Sequence, residues 1–230
     1  MVEHRLLPVD DGRLPLTIAR GTGKGATVVV VPSAFGIGPD LLAQMEELAT
    51  DASWVVAIDP FFREDAGPLS LDDRDRAFAR ARAADRARTG RDVRAAVEWA
   101  RARDGGPHRV VLVGICFGGP PGLLAAAEGI VDGVVTWHGS RMEQVLDRAA
   151  EMRCSMRLHL GGADPVVPPA ALAALRAAFA ERPDVRIVVH EGVGHGFTHR
   201  DSPKAYDASA ERAAMASVRE LVVSTGAGRP

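Results

Sequence analysis

This chain has few cysteines, no net positive charge and no long apolar run, and each of these features excludes a class of protein. Two cysteines among 230 residues, Cys116 and Cys154, are too few for a disulfide-dense scaffold or a zinc cluster. A formal net charge of −2 supplies no positive field, which argues against a nucleic-acid partner. No apolar run approaches the ~18 residues of a membrane span, and the first residues lack a signal-peptide pattern. We therefore expect a cytoplasmic protein with reduced thiols.

Short apolar runs alternate along the chain with alanine-rich stretches of helical spacing. The runs predict strands at 27–31, 54–58, 109–113, 131–137, 156–160 and 185–190. The stretches predict helices at 40–49, 73–103, 120–127, 142–151, 169–180 and 205–223, and residues 13–19 could add an antiparallel edge strand. This alternation predicts an α/β fold with a mostly parallel central sheet and helices on both faces. No linker or repeat interrupts it, so residues 1–230 are predicted to form a single domain.

A cysteine stands at the centre of the heptapeptide 113–119, Val-Gly-Ile-Cys-Phe-Gly-Gly, between a predicted strand and a helical stretch. The pattern is Gly-x-nucleophile-x-Gly, with Cys116 where serine is usual. In this pattern the nucleophile lies on a sharp, strained turn, and the flanking glycines let strand and helix approach each other. The following helix N-terminus favours a thiolate, and the Phe117 N–H faces a developing oxyanion. Cys116 is therefore the candidate nucleophile.

An aspartate and a histidine follow Cys116 in the chain order nucleophile, acid, base that is typical of α/β-hydrolases. Asp164 lies in Gly161-Gly-Ala-Asp-Pro after the fifth predicted strand, and His195 lies in Gly192-Val-Gly-His-Gly-Phe after the sixth. Asp164 would fix the tautomer of His195, whose other nitrogen would take the proton of Cys116. The carboxyl ends of parallel strands share one edge, which would also carry Ser33, Ala34, Arg63, His138 and Arg141. Cys154 has no such context and is interpreted as structural.

These motifs, together with Phe35-Gly36 and Asp59-Pro-Phe-Phe-Arg63, make the sequence resemble the dienelactone hydrolase family of α/β-hydrolases over nearly its whole length. The resemblance implies an α/β-hydrolase fold. It also implies hydrolysis of a lactone or ester, typically a dienelactone, by Cys116, His195 and Asp164 through a thioester, with no metal and no cofactor. The N–H of Ala34 would be the second oxyanion donor beside that of Phe117.

The sequence departs from the family pattern at positions that bear on the substrate. The family's Gln-Glu-Ile-Phe-Gly reads Pro32-Ser-Ala-Phe-Gly36 here, so Ser33 replaces the glutamate that poises the family's cysteine. Of the two arginines that bind a substrate carboxylate in the family, the first corresponds to Arg63 and the second to His199. Paired prolines, Pro120 and Pro121, predict an irregular start of the helix after the elbow. A different or less charged acyl substrate is therefore expected.

The remaining predictions concern the pocket. Apolar walls are expected from aromatic residues, and Arg141 and His138 could replace the displaced charge; the aromatic candidates are Phe35, Phe61, Phe62, Trp137 and Phe197. The arginine-rich segment 74–103 is interpreted as a solvated helix pair broken near Gly90 rather than a phosphate-binding face. Two alternatives stay open, a general esterase or thioesterase and a non-catalytic binding protein that retains the fold. The sequence leaves the oligomeric state open.

Overall fold

A single eight-stranded sheet organises the computed structural model, which describes residues 2–103 and 108–226. In chain order the strands are β1 (Val2–Val9), β2 (Gly12–Arg20), β3 (Thr27–Val31), β4 (Trp54–Ile58), β5 (Val110–Ile115), β6 (Gly133–Trp137), β7 (Ser155–Gly161) and β8 (Val185–His190). Their order across the sheet is β1-β2-β4-β3-β5-β6-β7-β8. The pairs β1/β2 and β2/β4 are antiparallel and all the others are parallel, so the predicted α/β-hydrolase fold is confirmed.

Helices connect the strands and cover both faces of the sheet. They are α1 (Pro39–Leu48), α2 (Arg74–Ala83), α3 (Arg86–Arg101), α4 (Gly119–Ala127), α5 (Pro169–Ala178) and α6 (Ala208–Gly226), with 3₁₀ segments at Cys116–Gly118 and Met142–Glu151. Within the described residues, no helix combines the length and apolar character that a bilayer crossing requires. The short 3₁₀ turn before α4 is the irregular start that the paired prolines predict.

Alternation along β3 shows how the two faces are filled. Val28 and Val30 pack into an apolar cluster with α1 and α6, whereas Val29 and Val31 pack into the cluster that contains α3, α4 and α5. All five residues of β3 are buried, because a central parallel strand covered on both faces has no solvent side. Because β3, β5, β6 and β7 pair in parallel, their carboxyl ends lie at one edge of the sheet.

The fold differs from the sequence prediction in several places. Residues 142–151 form a 3₁₀ segment, and β2, predicted as an edge strand, is the second strand because β1 lies outside it. β1 was not predicted, because its largely exposed side chains leave no apolar pattern, and its pairing with β2 is antiparallel. The helix break falls at Asp85 rather than near Gly90, since the Asp85 carboxylate accepts hydrogen bonds from the amides of Ala87 and Arg88 and so caps α3. Gly90 lies inside α3.

Candidate active site

Cys116 directly follows β5 in a left-handed backbone conformation, with φ of +49°. The glycines on either side are required by close backbone contacts. A Cβ on Gly114 would lie 2.3 Å from the carbonyl oxygen of Gly118, and one on Gly118 would lie 2.2 Å from the carbonyl oxygen of Val31. The chain can therefore turn sharply enough to lift the cysteine side chain out of the sheet edge, as the Gly-x-Cys-x-Gly pattern predicts.

The structure brings Cys116, His195 and Asp164 into one hydrogen-bonded row. The sulfur of Cys116 lies 3.1 Å from Nε2 of His195, and Nδ1 of His195 lies 2.7 Å from Oδ2 of Asp164. The other oxygen of Asp164 accepts a hydrogen bond of 2.8 Å from the Val166 N–H, so the buried carboxylate is held from both sides. Three residues from three different strand ends thus form the geometry of a nucleophile, a base and an orienting acid.

Electrostatics in this row favour a charged pair. Burial opposes the thiolate of Cys116, but the adjacent His195 and hydrogen bonds from His195, Ser140 and the Phe117 N–H lower the pKa of the thiol below its usual value. Burial likewise opposes a charged His195, yet the Cys116 thiolate and the Asp164 carboxylate raise the pKa of this imidazole to about 10. Both shifts favour a thiolate on Cys116 beside an imidazolium on His195 over the neutral pair.

The loop that carries Ala34 is tied down by Arg80, a residue that the sequence analysis missed. Arg80 is buried in α2, and its guanidinium donates to the carbonyl oxygens of Ala34 (2.6 Å), Asp65 and Gly67 (2.8 Å each). It also stacks over the Phe61 ring, at 4.4 Å from the centroid. Arg80 therefore fixes the position of the predicted oxyanion donor Ala34.

Ser33 does not take over the role of the family's glutamate. Its hydroxyl accepts a hydrogen bond of 3.2 Å from the Phe35 N–H within the same turn. The hydroxyl that faces Cys116 belongs instead to Ser140, with 3.9 Å between Oγ and the sulfur. Ser140 was missed because it follows His138 in a loop without a motif. The thiolate therefore depends on His195 rather than on a neighbouring carboxylate.

Arg63 is turned away from the nucleophile. Its guanidinium donates two hydrogen bonds, of 2.8 and 3.0 Å, to the buried Asp92 of α3, and it also pairs with Asp11 in the β1–β2 turn. It stacks on the ring of Phe62 as well. The structure therefore does not bring Arg63 to Cys116, because its guanidinium is held by two carboxylates and stacked on an aromatic ring.

A cavity of about 320 Å³ opens beside Cys116 and His195. Its apolar wall comes mainly from Phe78, Phe117, Pro120, Pro121 and Val166. Its polar wall includes the predicted Arg141 and two arginines that the sequence analysis assigned to a solvated face, Arg82 and Arg86. Arg86 donates to Gln144. Within residues 2–103 and 108–226, no hydrogen bond or ion pair engages the guanidinium groups of Arg82 and Arg141.

His138 lies behind the row, where burial disfavours its charged form. It is fully buried at the end of β6, its Nε2 lies 2.9 Å from the Thr198 hydroxyl, and its ring meets the edge of the His195 ring at 4.9 Å. Burial and the charges of His195 and His199 lower the pKa of His138 well below its usual value. The structure therefore does not support the expectation that His138 could replace a missing positive charge, because burial disfavours its charged form.

The other predicted pocket residues lie away from the cavity at Cys116. His199 is bonded through Nδ1 to Asp40 at 3.0 Å and lines a separate cavity of about 240 Å³ with Phe35 and Ser33. Trp137 and Phe197 are completely buried within the core cluster of α1 and α6. Trp137 and Phe197 therefore pack the core beneath the site. The aromatic wall of the cavity at Cys116 comes instead from Phe117 and Phe78.

Comparison with known proteins agrees with the fold and identifies the family. The sequence model of the dienelactone hydrolase family matches residues 16–224. The carboxymethylenebutenolidase of Pseudomonas putida is 30% identical over 198 residues, which cover 84% of this chain and 83% of that protein. Carboxymethylenebutenolidase 1 of Cupriavidus pinatubonensis is 28% identical over 217 residues, 92% of each chain.

Solved structures share the same architecture. A putative dienelactone hydrolase from Klebsiella pneumoniae superposes with a TM-score of 0.82 at 20% identity, over 96% of this chain and 98% of that one. The dienelactone hydrolase-like promiscuous phosphotriesterase P91 from metagenomic libraries gives 0.76 at 22% identity, over 96% and 97%. With the family match over residues 16–224, these likenesses show that the chain is an α/β-fold hydrolase that belongs to the dienelactone hydrolase family.

Proposed function

We propose that the protein hydrolyses a small lactone or carboxylic ester, with Cys116 as nucleophile, His195 as proton carrier and Asp164 as the acid that orients His195. The observation that carries this proposal is the unbroken row from the Cys116 sulfur through His195 to Asp164, with distances of 3.1 and 2.7 Å. The relatives named carboxymethylenebutenolidase support a lactone as substrate.

The reaction begins with attack by the Cys116 thiolate on the acyl carbon. Negative charge develops on the carbonyl oxygen, where the N–H groups of Phe117 and Ala34 stabilise it. When the tetrahedral intermediate collapses, the imidazolium of His195 protonates the departing alkoxide and a thioester forms. In a lactone this alkoxide stays attached to the acyl chain, so ring opening and acylation are one event.

Water completes the cycle. His195, now neutral, accepts a proton from a water molecule that attacks the thioester, and the second intermediate expels the Cys116 thiolate beside a regenerated imidazolium. Asp164 keeps the Nδ1–H tautomer of His195 throughout, so that Nε2 always faces the sulfur and the water. The neutral His138 packs on the edge of the His195 ring and adds no competing charge.

Arg82 and Arg141 lie where a substrate carboxylate could be bound. Both line the cavity at Cys116, and neither is engaged by an acidic group of the described chain. A guanidinium can hold a carboxylate through two parallel hydrogen bonds. We assign the binding of an anionic substrate to these residues rather than to Arg63, whose charge is held by Asp92 and Asp11.

A matched pair of cysteine variants tests the nucleophile. Cys116→Ala should abolish hydrolysis of p-nitrophenyl acetate and of a dienelactone, whereas Cys154→Ala should keep full activity. Rapid quench and mass spectrometry of the wild type should detect one acyl group on the peptide that contains Cys116. Full activity in Cys116→Ala, with native circular dichroism, would refute the mechanism.

A general esterase is the second candidate, because neither Arg63 nor His199 reaches the cavity. The double variant Arg82→Gln, Arg141→Gln separates the two. If the substrate is anionic, kcat/KM for a dienelactone should fall by roughly tenfold or more, the size of one lost charge-assisted hydrogen bond, while kcat/KM for p-nitrophenyl acetate stays unchanged. If the double variant keeps the wild-type kcat/KM for both substrates, the general esterase is favoured.

A further inference from the structure

Three metal-ligating side chains from three separate strand ends converge in the structure. Cys116 follows β5, His138 follows β6, and His195 lies in the loop after β8. One ligand atom from each of the three lies within 4.8 Å of the other two. These residues are far apart in the sequence and show no metal-binding spacing. The sequence analysis therefore predicted no metal ligands.

His138 carries a nitrogen that nothing in the described chain uses. The ring is completely buried, Nε2 is bonded to the Thr198 hydroxyl at 2.9 Å, and Nδ1 is buried without any hydrogen-bond partner among residues 2–103 and 108–226. A buried ring nitrogen normally finds a partner, so an unpaired one calls for an explanation. A neutral imidazole with one free nitrogen is also the form of histidine that binds metals.

The surroundings of both histidines resemble those of metal-binding histidines. Such residues use one ring nitrogen for the metal and give the other to a carboxylate, a carbonyl or another polar group that orients the ring. His195 gives Nδ1 to the Asp164 carboxylate at 2.7 Å, and His138 gives Nε2 to the Thr198 hydroxyl. Each ring is thus oriented from behind, which leaves Nε2 of His195 and Nδ1 of His138 as the remaining ligand atoms.

We propose that Cys116, His138 and His195 form a binding site for a zinc-type divalent cation, and that occupation of this site blocks hydrolysis. A thiolate and two imidazoles are ligands that Zn²⁺ prefers, and a water molecule from the cavity would complete a tetrahedral set. Tetrahedral zinc ligands lie roughly 3.4 Å apart, given zinc bond lengths of about 2.0–2.3 Å. The Cys116–His195 pair, at 3.1 Å, is already near that spacing, so a small movement of His138 closes the site.

Binding of the cation and hydrolysis exclude each other for a simple reason. The cation would take the electron pair of the Cys116 sulfur that otherwise attacks the acyl carbon. It would also take the Nε2 electron pair of His195 that otherwise accepts a proton. The site therefore holds either a cation or a reacting substrate.

Zinc chloride binding to the full chain, measured by titration calorimetry, tests the site without using activity. We expect one cation per chain, and with cobalt chloride we expect a sulfur-to-cobalt charge-transfer band. Cys116→Ser should remove the band, and His138→Asn should lower the affinity at least tenfold, since even outer partners of metal ligands contribute about 10–100-fold. Asparagine suits position 138 because it tolerates the positive φ found there.

Control variants make the result decisive. Cys154→Ser and His4→Asn change the other thiol and an exposed histidine, and both should keep full affinity and the cobalt band. Thr198→Val keeps all three ligands but removes the hydroxyl that orients His138, so it should weaken binding about tenfold. Wild-type affinity in His138→Asn, or a cobalt band retained in Cys116→Ser, would overturn the proposal. Cation binding by a chain without hydrolase activity would support the site while refuting the proposed function.

Discussion

Replacement of Arg80 by methionine tests whether a buried cation holds the loop that carries Ala34. The Arg80 guanidinium donates to three backbone carbonyls, those of Ala34, Asp65 and Gly67, at 2.6–2.8 Å. Hydrogen bonds from a charged donor contribute about 1.5–3 kcal/mol each. Methionine also removes the cost of burying the guanidinium, the burial that lowers the pKa of Arg80. We therefore expect the free energy of unfolding to fall by about 2–4 kcal/mol rather than by the full sum.

The same variant should lower catalysis more than substrate binding. Without Arg80, the Ala34 loop loses the contact that sets its position, and the Ala34 N–H no longer meets the oxyanion. Loss of one oxyanion-hole donor lowers kcat by about 10²–10³-fold, and KM should change little because the contact forms only in the transition state. The kcat of Arg80→Lys should lie between those of the wild type and Arg80→Met, because an ammonium group keeps the charge but cannot reach all three carbonyls.

Urea denaturation and steady-state kinetics with p-nitrophenyl acetate measure the two effects separately. Arg76→Met is the matched control, because Arg76 lies one turn earlier on α2, is exposed and, among residues 2–103 and 108–226, pairs only with Asp65. We expect nearly wild-type stability and kcat in that variant. If Arg80→Met loses stability but keeps kcat, Arg80 does not position an oxyanion donor, and the reasoning fails.

Three further predictions follow from burial and close contacts. At pH 7, iodoacetamide should label Cys116 before Cys154, since His195 lowers the Cys116 pKa while burial raises that of Cys154 to about 11; equal rates would contradict the charged pair. Burial and the neighbouring His190 lower the folded-state pKa of His159 to about 3. Stability should therefore fall as the pH drops from about 6.5 toward 3, by up to ~1.4 kcal/mol per pH unit in thermal or urea unfolding, and His159→Gln should flatten this profile. Gly118→Ala should prevent stable folding, whereas Gly90→Ala in α3, where nothing lies within 4 Å of an added Cβ, should stabilise the chain by about 0.5–1 kcal/mol in the same assay.

The sequence predicts what depends on local pattern. The central parallel strands β3, β4 and β5 were identified because each is a continuous apolar run, as Thr27–Val31 shows. Cys116, Asp164 and His195 were found because each lies in a short motif after a predicted strand, in the order nucleophile, acid, base, and parallel strands bring those ends together. The geometry of the candidate site thus follows from chain order and fold class.

The direction in which a long polar side chain turns could not be predicted. Arg63 stands at the right strand end, yet its charge is held by Asp92, a residue of α3 far away in the chain. Arg80 sits in an arginine-rich helix that is otherwise well solvated, and its partners are backbone carbonyls, which leave no sequence pattern. His138 and Thr198 likewise meet only in three dimensions.

Backbone strain is concentrated at one edge of the sheet. Within the described residues, Cys116, His138 and Arg141 are the non-glycine residues with positive φ, at +49°, +39° and +56°. A left-handed conformation costs a residue with a Cβ about 1 kcal/mol or more. Selection for stability alone would place glycine at these positions, so the chain retains a locally unfavourable backbone at the proposed active site. Stabilising this protein by removing strain would therefore trade directly against the reactivity of its thiol and the charge at its cavity.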